Sequence, residues 1–228
     1  MTAVFLQARL CSQRLPNKVM LPLAGKPLIV HAMEALRLIS ADVFAVLTDP
    51  ASRDVLMPLC HSAGFDVIAG HPSDVLLRYA SAVEYYSADI VIRATGDNPL
   101  VSSEIAQASL ELYQATNADY AGILHPPYGT AVEVVSAKAL LAAHQHAESA
   151  YEREHVTAYI YKNPNLFNIQ LKDAPAKWRS EARLTVDTQD DYEYMVNLFS
   201  ELYQGTPITI DDMLQWCKTH PQSRLKVS

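Results

Sequence analysis

The stretch Ala3-Val-Phe-Leu-Gln-Ala-Arg-Leu-Cys-Ser-Gln-Arg-Leu-Pro-Asn-Lys18 joins an apolar run to a loop with three cationic side chains. The apolar run predicts a first buried strand, which places Arg9, Arg14 and Lys18 at its carboxyl end. No acidic residue precedes Glu34, although the whole chain has a formal net charge of -7. A cationic loop on an acidic protein indicates a local site for a small anion, and a nucleoside triphosphate is the first anion to test.

The composition of the 228 residues indicates a folded globular protein. Half of the residues are hydrophobic and 19% are charged, and a chain of this length can bury a substantial core. The three cysteines are widely spaced without a CxxC pair, so we expect no disulfide framework, no structural zinc and a cytoplasmic location. A pI near 5.6 without a basic stripe argues against a nucleic-acid partner. No apolar run is long enough to predict a membrane span.

Alternating strand and helix patterns in the first half of the chain predict the fold class. The predicted strands are Ala3–Ala8, Asp42–Thr48, Phe65–Ala69 and Asp89–Thr95, and the predicted helices are Leu28–Ile39, Ala51–Ala63 and Ser73–Tyr86. This alternation predicts an α/β fold with a mainly parallel, twisted sheet flanked by helices. Ligands of such sheets bind outside the carboxyl ends of the strands, where residues 7–18 and 95–100 would emerge.

The second half of the chain has a less regular pattern. It predicts strands or extended segments at Asp119–Leu124, Ala131–Val135, Phe167–Leu171 and Arg183–Val186, and helices at Ala137–Glu148, Glu152–Tyr161, Asp190–Tyr203 and Asp211–Thr219. No repeat or linker separates these segments. We therefore expect a single domain over residues 1–228, with an inserted substrate-side lobe at roughly 120–172.

Neither of the common glycine-rich phosphate loops is present in the sequence. Gly25-Lys26 is followed by Pro27 and lacks the upstream glycine of a Walker loop, and no GxGxxG occurs. Phosphate would therefore be held by the side chains and the backbone N–H groups of residues 7–18, since guanidinium and ammonium groups suit phosphate oxygens. The alternative, that these cations are solvated loop residues, stays open.

Two aspartates follow strand-like stretches and would lie at the same edge of the sheet. Asp97 follows Ile92–Thr95, and Asp187 follows Arg183–Val186. Either could bind magnesium, which prefers one or two carboxylates together with phosphate oxygens and water. Turn formation is an equal alternative for Asp97, and capping of the next helix is an alternative for Asp187.

The segment Tyr151-Glu-Arg-Glu-His-Val-Thr157 contains four ionisable residues in succession. Helical spacing would place Glu152 and His155 on one face and Arg153 on another, although a charged cluster is usually a solvated face. A zinc site is not indicated, because no second histidine follows at metal-binding spacing.

Seven segments of the chain, in the same order, resemble one family. They are Gln7–Lys18, Pro22–Leu28, Ser73–Tyr79, Thr95–Leu100, Val132–Val134, Glu152–Thr157 and Arg183–Thr188. Together they resemble the cytidylyltransferases that include spore coat polysaccharide biosynthesis protein F. That group is related to the enzymes that make CMP-activated ulosonic and nonulosonic acids. The resemblance implies a nucleotide-diphospho-sugar-transferase-like fold, CTP as a substrate and Mg2+ as a cofactor.

The resemblance also implies a role for each matched residue. The implied nucleotide-binding residues are Leu6, Ala8, Arg9, Ser12, Arg14, Lys18, Asp74, Arg78, Thr95 and Gly96. Arg14, Lys18 and Asp97 would be catalytic, and Asp97 and Asp187 would hold the metal. The residues that fall at the acceptor site or a subunit interface are Glu133, Glu152, Arg153 and His155. Cys11 and Asn17 stand where the family frequently has glycine.

The implied activity is transfer of CMP from CTP to a small anionic sugar acid in surface polysaccharide or glycan biosynthesis, with release of pyrophosphate. Formation of a CDP product from a sugar or alditol phosphate is an alternative, as is a catalytically silent, nucleotide-binding regulatory subunit. A glycosyltransferase of similar fold is a third alternative. Because relatives of this fold often pair through the inserted lobe, we expect a homodimer through residues near 120–160.

Overall fold

The computed structural model describes residues 1–222, and its centre is a seven-stranded sheet. The strands are β1 (Thr2–Gln7), β2 (Pro22–Leu23), β3 (Lys26–Pro27), β4 (Val43–Thr48), β5 (Asp66–Ala69), β6 (Ile90–Thr95), β7 (Tyr120–Leu124), β8 (Glu133–Ser136) and β9 (Ile169–Asp173). The order across the large sheet is β5-β4-β1-β6-β8-β7-β9, and β2 and β3 form a separate hairpin. Only β8 runs antiparallel to its neighbours in the large sheet. The predicted α/β fold with a mainly parallel sheet is confirmed.

Strand β1 is an interior strand of the sheet, between β4 and β6, and its apolar run is covered on both faces. Val4 and Leu6 are fully buried in the core on one face, and Ala3 and Phe5 are fully buried in the core on the other. A strand of this kind reads as a continuous hydrophobic run rather than as an alternating one. The loop that follows β1 therefore begins at the carboxyl edge between the ends of β4 and β6.

Helices cover both faces of the sheet. They are α1 (Leu28–Leu36), α2 (Pro50–Ser62), α3 (Val75–Tyr86), α4 (Ser103–Thr116), α5 (Ala137–His146), α6 (Ala150–Glu154), α7 (Ala158–Lys162), α8 (Gln189–Leu202) and α9 (Ile210–Thr219). Helices α1, α2 and α4 contribute to the core on one face, and α3, α5 and α7 to the core on the other. Helices α8 and α9 pack together in a third cluster that includes the start of α1.

Side-chain caps fix the start of the helices that follow the strands. Asp49 accepts a hydrogen bond from the backbone N–H of Ser52 at 3.0 Å and begins α2 directly after β4. Ser102 accepts one from Ile105 at 3.1 Å and begins α4. Such caps satisfy backbone donors that a helix leaves free, and each typically stabilises a protein by about 1 kcal/mol.

Three details differ from the elements that the sequence predicts. Helix α4 has no counterpart among them, although Ser102 is a readable capping residue. The helix predicted at 152–161 is wrong as a single element, because Val156 has a φ of 52° and separates α6 from α7. The extended segment at 183–186 forms one isolated bridge, between Arg183 and Tyr128.

The residues of the predicted lobe, about 120–172, supply β7, β8 and most of β9 to the main sheet and carry α5, α6 and α7. The lobe as a functional unit stays a prediction. Within residues 1–222, no helix has both the length and the apolar character needed to cross a membrane.

The turn before β8 contains a glycine that approaches another backbone segment closely. Gly129 has a φ of +94°, and an added Cβ would lie 2.5 Å from the carbonyl oxygen of Leu184. We expect Gly129→Ala to lower the free energy of unfolding by about 3 kcal/mol, since it combines left-handed strain with a backbone clash. Urea denaturation measures this loss.

Gly205→Ala is the matched control for this substitution. Gly205 has a φ of +92°, but an added Cβ would meet no atom within 4 Å. Its expected cost is the backbone strain alone, about 1 to 2 kcal/mol. Equal losses for the two variants would contradict the close approach of Gly129 to Leu184.

Candidate active site

A cavity of about 780 Å³ opens at the carboxyl edge of the sheet, where β1 and β6 end. This volume is typical of a small-molecule site. The residues predicted for the site that line it are Ala8, Arg9, Ser12, Arg14, Lys18, Thr95, Asp97, His155 and Asp187. The loop after β1, the segment after β6 that contains Asp97 and the segment that contains Asp187 thus line one cavity. It lies at the carboxyl ends of the strands, where ligands of such sheets bind.

The Lys18 ammonium joins the two aspartates of the site. Its Nζ lies 2.7 Å from Oδ2 of Asp97 and 2.8 Å from Oδ1 of Asp187. The Lys18 side chain is only 12% exposed, so water screens these contacts weakly. Carboxylates that are 79 and 169 positions away from Lys18 in the sequence therefore meet around one cation.

Two arginines add positive charge around Asp187. Arg14 Nη2 lies 3.1 Å from Asp187 Oδ1, and Arg183 pairs with the other carboxylate oxygen. Burial alone would raise the pKa of Asp187, but the hydrogen bond and charge of Lys18, together with the two arginines, lower it overall. Burial would likewise lower the pKa of Lys18, but its two carboxylate partners raise it overall. Both groups are therefore charged at neutral pH.

The loop after β1, residues 8–18, is called the phosphate loop after the ligand that the sequence predicts. Its conformation explains how an asparagine is accommodated before Lys18. Asn17 has a φ of 54°, in the left-handed region that asparagine tolerates better than most residues. It precedes a short 3-10 helix, Lys18–Met20, whose Val19 side chain is buried. The backbone N–H of Leu10 also donates to Ser52 Oγ at 2.9 Å. The loop is thus fixed at both ends while the exposed Cys11 lies between them.

Two residues predicted to bind the nucleotide lie beneath the cavity rather than in its lining. Leu6 is fully buried in the core of the sheet. Gly96 donates its backbone N–H to Gln7 O at 2.8 Å, and an added Cβ would lie 2.9 Å from Ala8 Cβ. Gly96 therefore allows the backbone after β6 to pack against the end of β1.

Asp74 and Arg78, predicted near the base, also lie outside the cavity lining. Asp74 accepts the backbone N–H of Leu77 at 2.8 Å and caps α3. Arg78 is 1% exposed and donates through Nη2 to the carbonyl oxygens of His71 and Pro72. Its Nε and Nη1 have no hydrogen-bond partner among the described residues.

Of the four residues predicted for the acceptor side, three have other partners. The partners of Glu133 are Arg93, Tyr120 and Thr157, those of Glu152 are Ser149 and Lys162, and those of Arg153 are Asp74 and His144. None of the three lines the cavity. His155 does, and its ring contacts that of Tyr151 at a centroid distance of 4.2 Å.

Several lining residues were not predicted from the sequence, among them Gln7, Tyr128 and Glu154. Gln7 could have been predicted to line the site, because it is a polar residue at the end of an apolar strand. Its Oε1 is buried and has no hydrogen-bond partner among the described residues. Tyr128 and Glu154 reach the cavity only through tertiary packing, which local sequence patterns do not encode.

The donor set of the cavity is compatible with magnesium but not with a closed metal cage. Within residues 1–222, no group of three or more His, Cys, Asp and Glu side chains could hold a metal ion. Asp97 and Asp187 offer two converging carboxylates, and magnesium typically takes its other ligands from phosphates and water. The role of this pair as metal ligands stays a prediction.

The depressed pKa of Asp187 gives the ion pairs a defined pH dependence. Because the carboxyl pKa is lower in the folded protein, its stabilising contribution is present at neutral pH and is lost as the pH falls through the folded value. We expect Asp187→Asn to lower the free energy of unfolding by about 2 kcal/mol at pH 7 and by progressively less below pH 5.

Urea denaturation of the nucleotide-free protein in a chelator, between pH 7 and pH 3.5, measures this difference. The matched control is Asp190→Asn, at an exposed position in the first turn of α8. A difference between wild type and Asp187→Asn that stays constant with pH would contradict the stabilising ion pairs.

Comparisons with known proteins show the family to which the chain belongs. The model of a family described as cytidylyltransferase matches residues 3–213. The chain is 32% identical to spore coat polysaccharide biosynthesis protein SpsF of Bacillus subtilis, over 96% of this chain and 94% of that one. A more limited match, 40% identical over 44% of this chain and 38% of the other, is to 3-deoxy-manno-octulosonate cytidylyltransferase of Psychrobacter cryohalolentis.

A solved structure extends the similarity to the whole fold. A cytidylyltransferase of Leptospira borgpetersenii superimposes with a TM-score of 0.87 at 26% identity, over 96% of this chain and 94% of that one. The family and the fold that the sequence motifs imply are confirmed by these matches. The chain belongs to the cytidylyltransferase family.

Proposed function

We propose that this cytidylyltransferase transfers CMP from CTP to a sugar acid, in the biosynthesis of a surface polysaccharide or glycan. The observation that carries the proposal is the contact of the Lys18 ammonium with Asp97 and Asp187, in a cavity that Arg9 and Arg14 also line. The names of two relatives support the acceptor class, since one concerns a spore coat polysaccharide and the other an octulosonate, which is a sugar acid.

The cationic side of the cavity suits a triphosphate. Arg9 and Arg14 are partly exposed, with 44% and 65% of their side chains accessible, so their guanidinium groups are available to an incoming anion. Lys18 adds a point charge deeper in the cavity. Guanidinium forks and an ammonium group are the side chains that bind phosphate oxygens most effectively.

In the proposed reaction, a hydroxyl oxygen of the acceptor forms a bond to the α-phosphorus of CTP. The bond between that phosphorus and the pyrophosphate oxygen breaks, and the hydroxyl proton is released. Arg14 and Lys18 stabilise the negative charge that accumulates on pyrophosphate, and the fixed loop keeps them in place. Asp97 and Asp187 would hold magnesium, which supplies additional positive charge to the phosphates when it is bound.

The altered glycine positions of the phosphate loop do not favour a catalytically silent protein. Asn17 adopts the left-handed conformation that a glycine would provide, and Lys18 still reaches both aspartates. Cys11 is exposed and leaves the loop anchored through Leu10 and Val19. The chain thus has the cationic groups, Arg14 and Lys18, to which the proposed transfer of CMP assigns a role.

Removal of a cation or a carboxylate from this cluster should reduce turnover without unfolding the protein. We expect Lys18→Ala and Asp97→Ala each to lower CMP transfer by about a hundredfold or more, since one lost contact to a developing charge typically costs about 3 kcal/mol. Pyrophosphate release measures transfer, and circular dichroism verifies folding. Lys172→Ala, on the exposed β9, is the control that should retain activity. Near-normal transfer by either site variant would refute the assignment.

The acceptor class can be tested with a panel of compounds. With CTP and magnesium, we expect pyrophosphate release and a CMP-linked product with 3-deoxy-manno-octulosonate or another sugar acid, but not with sugar or alditol phosphates. Product mass spectrometry separates CMP-linked from CDP-linked compounds. A CDP-linked product would replace the sugar-acid proposal with its alternative, and CTP binding without release for any acceptor would favour a regulatory role.

A further inference from the structure

Glu133 occupies the centre of a polar cluster outside the lining of the cavity. Its Oε1 accepts hydrogen bonds from Tyr120 Oη at 2.7 Å and from Thr157 Oγ1 at 2.8 Å. Its Oε2 pairs with Arg93, which is adjacent in the register of β6 and β8. All three partners are within the protein, so Glu133 has little capacity left to bind a substrate.

The protonation state of Glu133 is consistent with this arrangement. Burial would raise the pKa of its carboxyl group, but the charge of Arg93 and the hydrogen bonds from Tyr120 and Thr157 lower the pKa overall. Glu133 is therefore a carboxylate at neutral pH and acts only as an acceptor. Thr157 must then be the donor in its contact with Glu133.

The hydroxyl of Thr157 serves this contact instead of capping its own helix. Thr157 is the N-cap of α7, yet its side chain makes no capping hydrogen bond. Threonine at this position ordinarily accepts a bond from a backbone N–H of the first turn. Here the hydroxyl donates to the Glu133 side chain on β8 at 2.8 Å, and the carbonyl oxygen of His155 lies farther from it, at 3.4 Å. The shorter bond connects the start of α7 to β8.

The residues before Thr157 form a strained turn that needs such an anchor. Val156 is β-branched, fully buried and has a φ of 52°, a conformation that costs energy for a residue of this shape. A strained backbone of this kind persists only where its surroundings hold it. The buried Val156 side chain and the Thr157 hydroxyl both hold the turn, as does the hydrogen bond from the His155 N–H to Tyr151 O at 2.9 Å.

The same turn presents two side chains to the cavity. Glu154 and His155 line it, and Glu154 Oε1 lies 3.7 Å from Arg9 Nη2 in the phosphate loop. The turn and the loop that would bind the triphosphate therefore line the same cavity and approach each other at Arg9 and Glu154. Under the proposed function, an acceptor that attacks the α-phosphorus would bind in this cavity, within reach of the turn.

We propose that Glu133 is a positioning residue for the acceptor, which acts through Thr157 to hold Glu154 and His155 at the cavity. This inference rests on the proposed function for the identity of the acceptor. It gives Glu133 an indirect role, whereas the resemblance implies a position at the acceptor site or at a subunit interface. Arg93 compensates the charge of Glu133 and keeps the carboxylate directed at the turn.

The test compares two substitutions that each remove one hydrogen bond to the same Glu133 oxygen. Thr157→Val keeps the side-chain shape but frees the turn, and Tyr120→Phe removes the other bond without touching the turn. We expect Thr157→Val to raise the KM for the acceptor about five- to twentyfold, with the Kd for CTP within twofold of wild type. Thr157→Ser should restore the wild-type KM, and Tyr120→Phe should leave it unchanged.

Hydrogen exchange provides a readout that does not depend on turnover. In Thr157→Val, the amides of residues 154–157 should exchange at least tenfold faster, while those of residues 9–18 stay unchanged. Tyr120→Phe should show neither change. A wild-type acceptor KM and wild-type exchange in Thr157→Val would overturn the inference, as would equal effects of the two substitutions. If wild type releases no pyrophosphate with any acceptor, the proposed function fails, and exchange at the turn alone decides the positioning role.

Discussion

The position of one ammonium group between two carboxylates is the interaction on which the site depends. Asp97 and Asp187 are partly buried, and two like charges in such surroundings repel unless a cation lies between them. Lys18 supplies that cation from the loop after β1, and Arg14 and Arg183 reinforce it at Asp187. These ion pairs hold together three segments of the chain: the end of β6, the segment before α8 and the phosphate loop.

The sheet makes this arrangement possible because it brings separate loops to one edge. Strands β1 and β6 are parallel neighbours, so the segments that follow them leave in the same direction. Gly96 lets the two backbones pack closely at that point, and the backbone N–H of Val186 donates to Asp97 O at 2.9 Å. These backbone contacts therefore contribute to the separation of Asp97 and Asp187, in addition to the side-chain contacts with Lys18.

Local sequence patterns predicted the strands, the helices and the cationic loop, because these features depend on residues that are close together in the sequence. Buried parallel strands, helix periodicity and a loop of unbalanced positive charge are all readable from the sequence, and they located the sheet edge and the residues around Lys18. The partners of Glu133 and Arg153 could not be predicted from the sequence. A charged side chain is equally compatible with a substrate, a buried partner or solvent until its tertiary neighbours are known. Val156 shows the same limit for the backbone, since tertiary packing imposes a conformation that valine disfavours.

The Arg9–Glu154 pair places an anionic side chain next to one of the cations that are proposed to bind the triphosphate. Both side chains are about half exposed, so the pair is weak and is screened by salt. Under the proposed function, a phosphate that binds Arg9 would exchange with the Glu154 carboxylate. Because the pair is weak, this exchange costs little, and Arg9 remains available to an incoming anion.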